Sequence, residues 1–432
     1  MKKYLLFIVC IFLCSSLCCS DSSKSSSSGK SIAIKGAFSG AKGAKLSLFD
    51  RIVSFIIPSA YALDVSDVKT VIVFNTDGSF SAADVTNGSF SVNATASKPV
   101  GIVFAGSGNS YLGYLTFSNF SSNINSLPLQ QAGSDITEID LGTLTSTGAV
   151  VESSNNPFGS AIDLTADEQD MYAQLNSTFA ATIITPDVDG NGQVDLLENK
   201  FINLHIAYHY SAGSFSGSSL TPAVSSVSGL CWNLVLCAAD GGSNGGTALY
   251  NWTTSSVLFT GPGMSTGLNN SSLSNDSKNW GSENVSTSCP TEGTYTISDG
   301  GVNTLTFYIT SQTDPLKNLI LIVPTVTLNS DNNTMNKISW IFKTMDNSAV
   351  ISDPFKFIQG VKIQMNGTGT ACTTPECTGQ IYSSGGNPSQ WITELEHTFT
   401  CQNIIWTNVT TINMVYWDIF GNQYECGYSV SH

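Results

Sequence analysis

The chain predicts a mainly β fold: tandem β-sandwich domains joined by one short helical connector. Three observations predict it. Short apolar runs recur along most of the 432 residues, broken by Gly, Asn and Ser turns. With 38 Gly, 22 Phe and 14 Tyr but only 11% charged residues, the loops draw on Ser, Thr, Asn and Gly rather than on salt bridges, which suits sandwiches and not helical bundles. Helical spacing is confined to one stretch, ADEQDMYAQL at 166–175.

At the N-terminus, Met1, Lys2 and Lys3 form a basic region. Tyr4 to Leu17, YLLFIVCIFLCSSL, is an apolar run too short to span a bilayer as a mature helix. Residues 1–18 therefore read as a secretory signal, followed by a Ser-rich tether over 19–30. The junction Cys18-Cys19-Ser20-Asp21 and the tether resemble bacterial lipoproteins, whose signal is cut just before a cysteine that becomes lipidated. That resemblance implies Cys19 as the lipidated residue and a chain held by its lipid on a membrane of the bacterial cell envelope, with the face open. Ser16 stands three before Cys19 where Leu is preferred, and Leu17 at minus two. Cleavage near Ala60-Tyr61-Ala62 would demand a signal far beyond the usual length of about 15–30 residues. The apolar stretch at 46–62 holds Asp50, Arg51 and Pro58 and is too short for a span; it is expected to pack on the first domain or lie at the membrane surface.

The first folded unit is expected over 31–148. SIAIKGAF, KTVIVFN, GSFSVNAT, PVGIVFAG and YLGYLTF are strand-like runs separated by turn residues. Their order resembles the carboxypeptidase-regulatory, or transthyretin-like, modules of bacterial surface proteins. The resemblance implies a stalk or adhesive scaffold without catalytic residues.

Residues 149–200 form the connector, with the helix at 166–175 and then Asp187 to Glu198, reading DVDGNGQVDLLE. A hard cation takes six to eight oxygens, and a twelve-residue loop supplies them from positions 1, 3, 5, 9 and 12 plus a backbone carbonyl at 7. Here those positions are Asp187, Asp189, Asn191, Asp195 and Glu198, with Gln193 at 7, Gly192 at the sharp turn and Val194 as the apolar plug. The loop resembles the EF-hand calcium loop, and its DVDGNG opening the dockerin-like and thrombospondin-type loops. An acidic turn is the alternative, since DG and NG are turn signals in themselves. The spacing favours Ca²⁺ as cofactor. No second loop follows, ATIITP separates the helix from the loop, and the sequence alternates like a strand after Glu198. A lone structural site that stiffens a domain junction is therefore expected rather than a paired sensor.

A second β domain with long polar loops is expected over 201–323. FINLHIAYHY alternates as a strand, placing His205 and His209 about 13 Å apart rather than on one helical face that could share a metal. The long polar loops are where binding surfaces usually sit. The third unit, 324–432, holds TVTLNS, KISWIFK, GVKIQMNG, HTFTCQNIIW, INMVYWDIFG and YECGYSV. It resembles fibronectin-like or immunoglobulin-like sandwiches, with Trp340 placed as a core tryptophan.

Of the 11 cysteines, Cys10, Cys14 and Cys18 leave with the signal and Cys19 would carry lipid. In an oxidising compartment Cys372 with Cys377, and Cys401 with Cys426, are the candidate disulfides. Cys231 and Cys237 would stand about 20 Å apart along one strand, too far to bridge each other. One of them could pair with Cys289. No CxxC cluster offers a zinc site.

A net charge of −15, with Arg51 the single arginine, leaves no basic stripe for phosphates and sets nucleic acid aside. No GxSxG elbow or phosphate-binding glycine loop occurs, and Glu394 and Glu396 lie about 7 Å apart on one strand face, as solvated carboxylates do. The expected protein is no enzyme. It is a calcium-binding, lipid-anchored, multi-domain structural or adhesive module of the envelope, with an unidentified protein or glycan as ligand. The rival class is a secreted hydrolase or glycan-binding protein with accessory sandwiches.

Overall fold

The computed structural model describes residues 30–39, 65–117, 124–198, 202–225, 233–238, 257–262, 268–270, 279–282, 292–298, 304–309, 320–344, 348–367, 394–398 and 404–432. The signal, Cys19 and its tether, the 46–62 stretch, and Cys231, Cys289, Cys372, Cys377 and Cys401 lie outside the described residues.

The fold is mainly β, as expected. Nine strands lead: β1 (Ser31–Phe38), β2 (Thr70–Asn75), β3 (Phe80–Asp84), β4 (Ser89–Thr95), β5 (Pro99–Ala105), β6 (Tyr111–Thr116), β7 (Ser126–Pro128), β8 (Glu138–Thr147) and β9 (Val150–Ser153). Helices α1 (Ala166–Leu175) and α2 (Ser177–Ile184) follow. Then come β10 (Ile202–Ser216), β11 (Ser219–Ser225), β12 (Asn233–Ala238), β13 (Val257–Thr260), β14 (Leu268–Asn270), β15 (Asn279–Ser282), β16 (Gly293–Ser298) and β17 (Thr304–Ile309). The last are β18 (Ile320–Leu328), β19 (Met335–Thr344), β20 (Ile358–Gly367), β21 (Glu396–Thr398), β22 (Val409–Asp418) and β23 (Gln423–Ser431).

The chain divides into two compact units. The first holds β1–β9, both helices and the sheet β14-β13-β16-β17; the second holds β18–β23 with β11 and most of β10.

In the first unit one sheet runs β3-β2-β5-β6-β9-β8-β1-β4, with β7 on β5. An Asn-Gly turn closed by the Thr86–Ser89 bridge leads from β3 into β4: Asn87 (φ 53°) and Gly88 (φ 76°) both take the left-handed conformation. β4 alternates, with Phe90, Val92 and Ala94 inward. β5 does not alternate; every residue of PVGIVFA is buried, so both its faces are covered. One cover is α2. Phe179 meets Phe74 edge to face at 5.5 Å, and Ile183 lies over Gly101, whose missing side chain leaves the room.

Helix α1 occupies the residues whose spacing predicts it. Thr165 caps it reciprocally with Glu168: the Glu168 N–H donates to Thr165 Oγ1 at 3.4 Å, and the Thr165 N–H to Glu168 Oε2 at 2.8 Å. Helix α2 corrects the sequence reading, which took ATIITP for a non-helical spacer. The β-branched run STFAATII has poor helix propensity, but burial of Phe179, Ala180, Ile183 and Ile184 overrides it. A helix therefore ends at Ile184, immediately before the acidic loop.

In the second unit β10 pairs in parallel with β23, which leads on to β22 and β20, while β18, β19 and β21 form another sheet. Strands from either side of the expected border at 323/324 thus share one sheet, because a parallel partner can come from any distance along the chain. Tyrosines join the two sheets of this unit: Tyr210 Oη donates to the Ile320 carbonyl at 3.0 Å, and Tyr416 Oη accepts from the Ile320 N–H at 3.0 Å. Trp340 is a core residue, as expected. Among the described residues no helix is long and apolar enough to cross a membrane.

Candidate metal centre

The loop leaves α2 through Thr185 and Pro186. Its turns are fixed by its own polar groups before any ion is considered. The Gly192 N–H donates to Asp187 Oδ2 at 2.9 Å, the Asn191 N–H to Asp189 Oδ1 at 3.2 Å, and the Gln193 N–H to Asn191 Oδ1 at 2.8 Å. Gly190 (φ 68°) and Gly192 (φ 87°) supply the left-handed residues that fold the chain back on itself. The Val188 N–H donates to Asp195 Oδ2 at 2.9 Å, and the Asp195 N–H to the Pro186 carbonyl at 2.9 Å, closing the loop at its base. Fully buried Val194 plugs the hollow, beside Leu196 and Val188.

This wrapping brings ligand atoms of Asp187, Asp189 and Asp195 within 4.8 Å of one another. Asp187 and Asp195 are buried, the residues 7% and 4% exposed. Asp187 Oδ1 is buried without a hydrogen-bond partner. Burial raises the Asp187 pKa, the loop amide of Gly192 opposes that, and the neighbouring Asp189 charge adds to it. Three carboxylates at this spacing repel one another, and a buried carboxylate oxygen with no donor is a costly group. A hard cation meets both deficits at once, since every side-chain donor here is oxygen.

The other expected ligands lie at the mouth. Asn191 Nδ2 donates to Glu198 Oε2 at 2.8 Å and to Asp189 Oδ2 at 3.4 Å, so the amide ties positions 3 and 12 together. Glu198 ends a single 3₁₀ turn, Asp195–Glu198, where an EF-hand would start a long exit helix; β10 begins soon afterwards. Gln193 forms an isolated bridge with Ser110. Sequence reasoning missed the groups that hold the loop from outside. The Val194 N–H donates to the Asn109 carbonyl at 3.0 Å and the Thr306 N–H to the Val188 carbonyl at 3.0 Å. The Tyr308 N–H donates to Thr185 Oγ1 at 3.2 Å. Nothing in a local motif signals them.

Among the described residues no other group of His, Cys, Asp and Glu side chains gathers as a metal-ligating cluster. His205 and His209 lie in β10, the strand that their alternation predicts. Glu394 and Glu396 are exposed, and Lys337 Nζ reaches Glu396 Oε2 at 2.9 Å across the sheet. Cys426, whose expected partner Cys401 lies outside the described residues, stands as a free, buried thiol. It points to the inward face of β23 with Tyr424 and Tyr428, 2.7 Å from Tyr210 Oη, and burial pushes its pKa up to about 12.

No family model and no curated protein matches the chain. Among solved structures it is similar to the FN1–FN3 domains of chicken CNTN1, at 9% identity over 53% of this chain and 68% of that one, with a TM-score of 0.17. It is also similar to a tetra-tandem repeat in the extending region of a large adhesion protein, at 11% identity over 92% of this chain and 73% of that one, with a TM-score of 0.13.

Proposed function

We propose that Asp187–Glu198 binds one Ca²⁺ ion in a structural role, in a lipid-anchored module of the bacterial cell envelope that serves as scaffold or adhesin. The observation that carries the metal reading is Asp187 Oδ1, buried without a donor in a residue 7% exposed, in a cluster where three carboxylates converge within 4.8 Å. Asp187, Asp189 and Asp195 would hold the ion, with Asn191, Glu198 and the Gln193 carbonyl completing an all-oxygen set. When bound, the ion supplies positive charge that cancels the repulsion; it supplies no chemistry of reaction. Ca²⁺ is favoured over Mg²⁺ because the donors sit on a pliable loop, and Mg²⁺ demands near-ideal octahedral geometry and dehydrates reluctantly. Anchoring rests on the signal-like N-terminus and Cys19, the scaffold role on the β architecture and the lack of a catalytic motif in the sequence.

The test is a thermal melt titrated with Ca²⁺ and, separately, Mg²⁺. For a dissociation constant of about 10⁻⁴ M, about 10 mM Ca²⁺ adds ~2.7 kcal/mol of stability, and Asp187→Ala loses that gain. In chelator, Asp187→Asn melts at or above wild type, because one of the repelling charges is gone. Equal melting of wild type and Asp187→Ala across millimolar Ca²⁺ overturns the calcium reading. Loss of radiolabelled fatty acid from Cys19→Ser tests the anchor.

A further inference from the structure

Building on the calcium reading, we propose that the ion-loaded loop is a clasp that holds the sheet β14-β13-β16-β17 to the nine-stranded sheet of the same unit. The argument starts from which atoms the loop shares with each sheet. On one flank the Val194 N–H donates to the Asn109 carbonyl at 3.0 Å, Gln193 bridges Ser110, and Tyr111 Oη of β6 donates to the Ile184 carbonyl at 3.4 Å. On the other flank the Thr306 N–H donates to the Val188 carbonyl at 3.0 Å and the Tyr308 N–H to Thr185 Oγ1 at 3.2 Å.

Thr306 and Tyr308 are two apart on β17, so both N–H groups face the same way, along the edge that β16 leaves unpaired. A free strand edge needs acceptors or water, and the loop provides the acceptors.

Val188 is the pivot. It lies between the ligands Asp187 and Asp189, its N–H is held by the third ligand Asp195 at 2.9 Å, and its carbonyl is the acceptor for β17. The peptide units that join the sheet are therefore the ones the ligands orient. Without the cation, repulsion among carboxylates within 4.8 Å acts directly on Val188 and loosens the β17 edge. With it, that backbone is fixed and the edge stays docked. Because such coupling is reciprocal, weakening the docking must weaken calcium binding by the same factor.

Two measurements on the full chain separate the clasp from the calcium reading. Calorimetric titration with Ca²⁺ gives binding, and hydrogen exchange with and without Ca²⁺ gives the protection of the Thr306 and Tyr308 amides against the β2 and β5 amides as internal reference. The expected result is binding, with exchange at Thr306 and Tyr308 slowed at least tenfold and the reference amides unchanged. Thr185→Val, which removes one acceptor of the β17 edge but no ligand, is expected to bind Ca²⁺ about 2- to 10-fold more weakly. Binding with unchanged exchange at Thr306 and Tyr308, or with unchanged affinity in Thr185→Val, overturns the clasp and leaves the calcium site standing. Absence of binding overturns the calcium reading and the clasp with it.

Discussion

Gly101→Ala puts the seating of α2, and through it the loop, to a steric test. A methyl group on Gly101 would stand 2.7 Å from Ile183 Cγ1, 2.9 Å from Ile183 Cδ1 and 2.9 Å from Phe74 Cζ, all well inside van der Waals contact. The backbone of Gly101 lies in ordinary strand conformation within β5, so the cost is one of space and not of backbone strain. Ile183, 0% exposed, has nowhere to retreat, and an overpacked core position costs about 1–3 kcal/mol. α2 ends next to Ile183 and Asp187 follows three residues beyond Ile184, so a displaced helix also moves the first of the proposed ligands. Calorimetric melting should drop by about 2–4 °C per kcal/mol, and Ca²⁺ binding should weaken in parallel. Ile183→Ala alone costs about 2–5 kcal/mol by leaving a cavity. In that background the added methyl group fills space rather than competing for it, so the Gly101→Ala cost should shrink by at least half, a coupling expected only of residues in contact. Wild-type melting of Gly101→Ala, or equal costs in the two backgrounds, would refute the packing of α2 on β5.

Three further outcomes follow from buried polar groups. Cys426, with its thiol pushed up to about 12, should resist maleimide in the folded protein, label only in denaturant, and appear in no cross-linked peptide with Cys401; labelling without denaturant would place it at the surface. Asp418 is fully buried; burial raises its pKa to about 7 although Phe420, Asn422 and Tyr424 all donate to it. A carboxyl whose folded pKa is raised gives its full contribution to stability below its unfolded value near 4 and loses it as pH climbs through 7. Urea titrations should therefore show wild type losing stability relative to Asp418→Asn between about pH 4 and 7, and a pH-independent gap would contradict the assignment. Tyr172→Phe removes a hydroxyl 2.6 Å from buried Ser126 Oγ but leaves that serine its bond to Asn176, so its cost should stay near ~0.5–1.5 kcal/mol in urea unfolding; a loss of several kcal/mol would mean the serine cannot make do with one partner.

What was legible in the sequence was local. Helix α1 is set by neighbours in the chain, its Thr165 and Glu168 caps and its spacing, and it occupies 166–175 as read. Helix α2 was hidden because STFAATII has the residues of a strand, and what makes it a helix is the sheet face that Phe179 covers at Phe74 of β2 and Ile183 at Gly101 of β5, more than seventy positions earlier. The pairing across the expected third-domain border was hidden for the same reason: β10 and β23 are strands on their own evidence, but their parallel pairing is not written in either segment. Cys426 shows the division within one residue. The alternation of YECGYSV places it inward with Tyr424 and Tyr428, yet its neighbour is the Tyr210 hydroxyl, 216 positions away, rather than another sulfur.

The acidic loop divides along the same line, which bears on what its ligands are for. Six ligand positions can be read from twelve residues because an ion is held by one turn of chain folding on itself. The uses of that turn cannot be read so, since Tyr308 donates to Thr185 from 123 positions away and Asn109 accepts from Val194 on the opposite flank. A loop that served only to bind an ion would need none of these outer bonds, and an acidic turn that served only to reverse the chain would not bury Asp187 and Asp195 together. Both costs are met in one place, carboxylates gathered inside and backbone shared outside. Under the proposed calcium reading, that combination makes the loop a joint whose firmness depends on the ion, with calcium-sensitive exchange at Thr306 and Tyr308 as the consequence to measure.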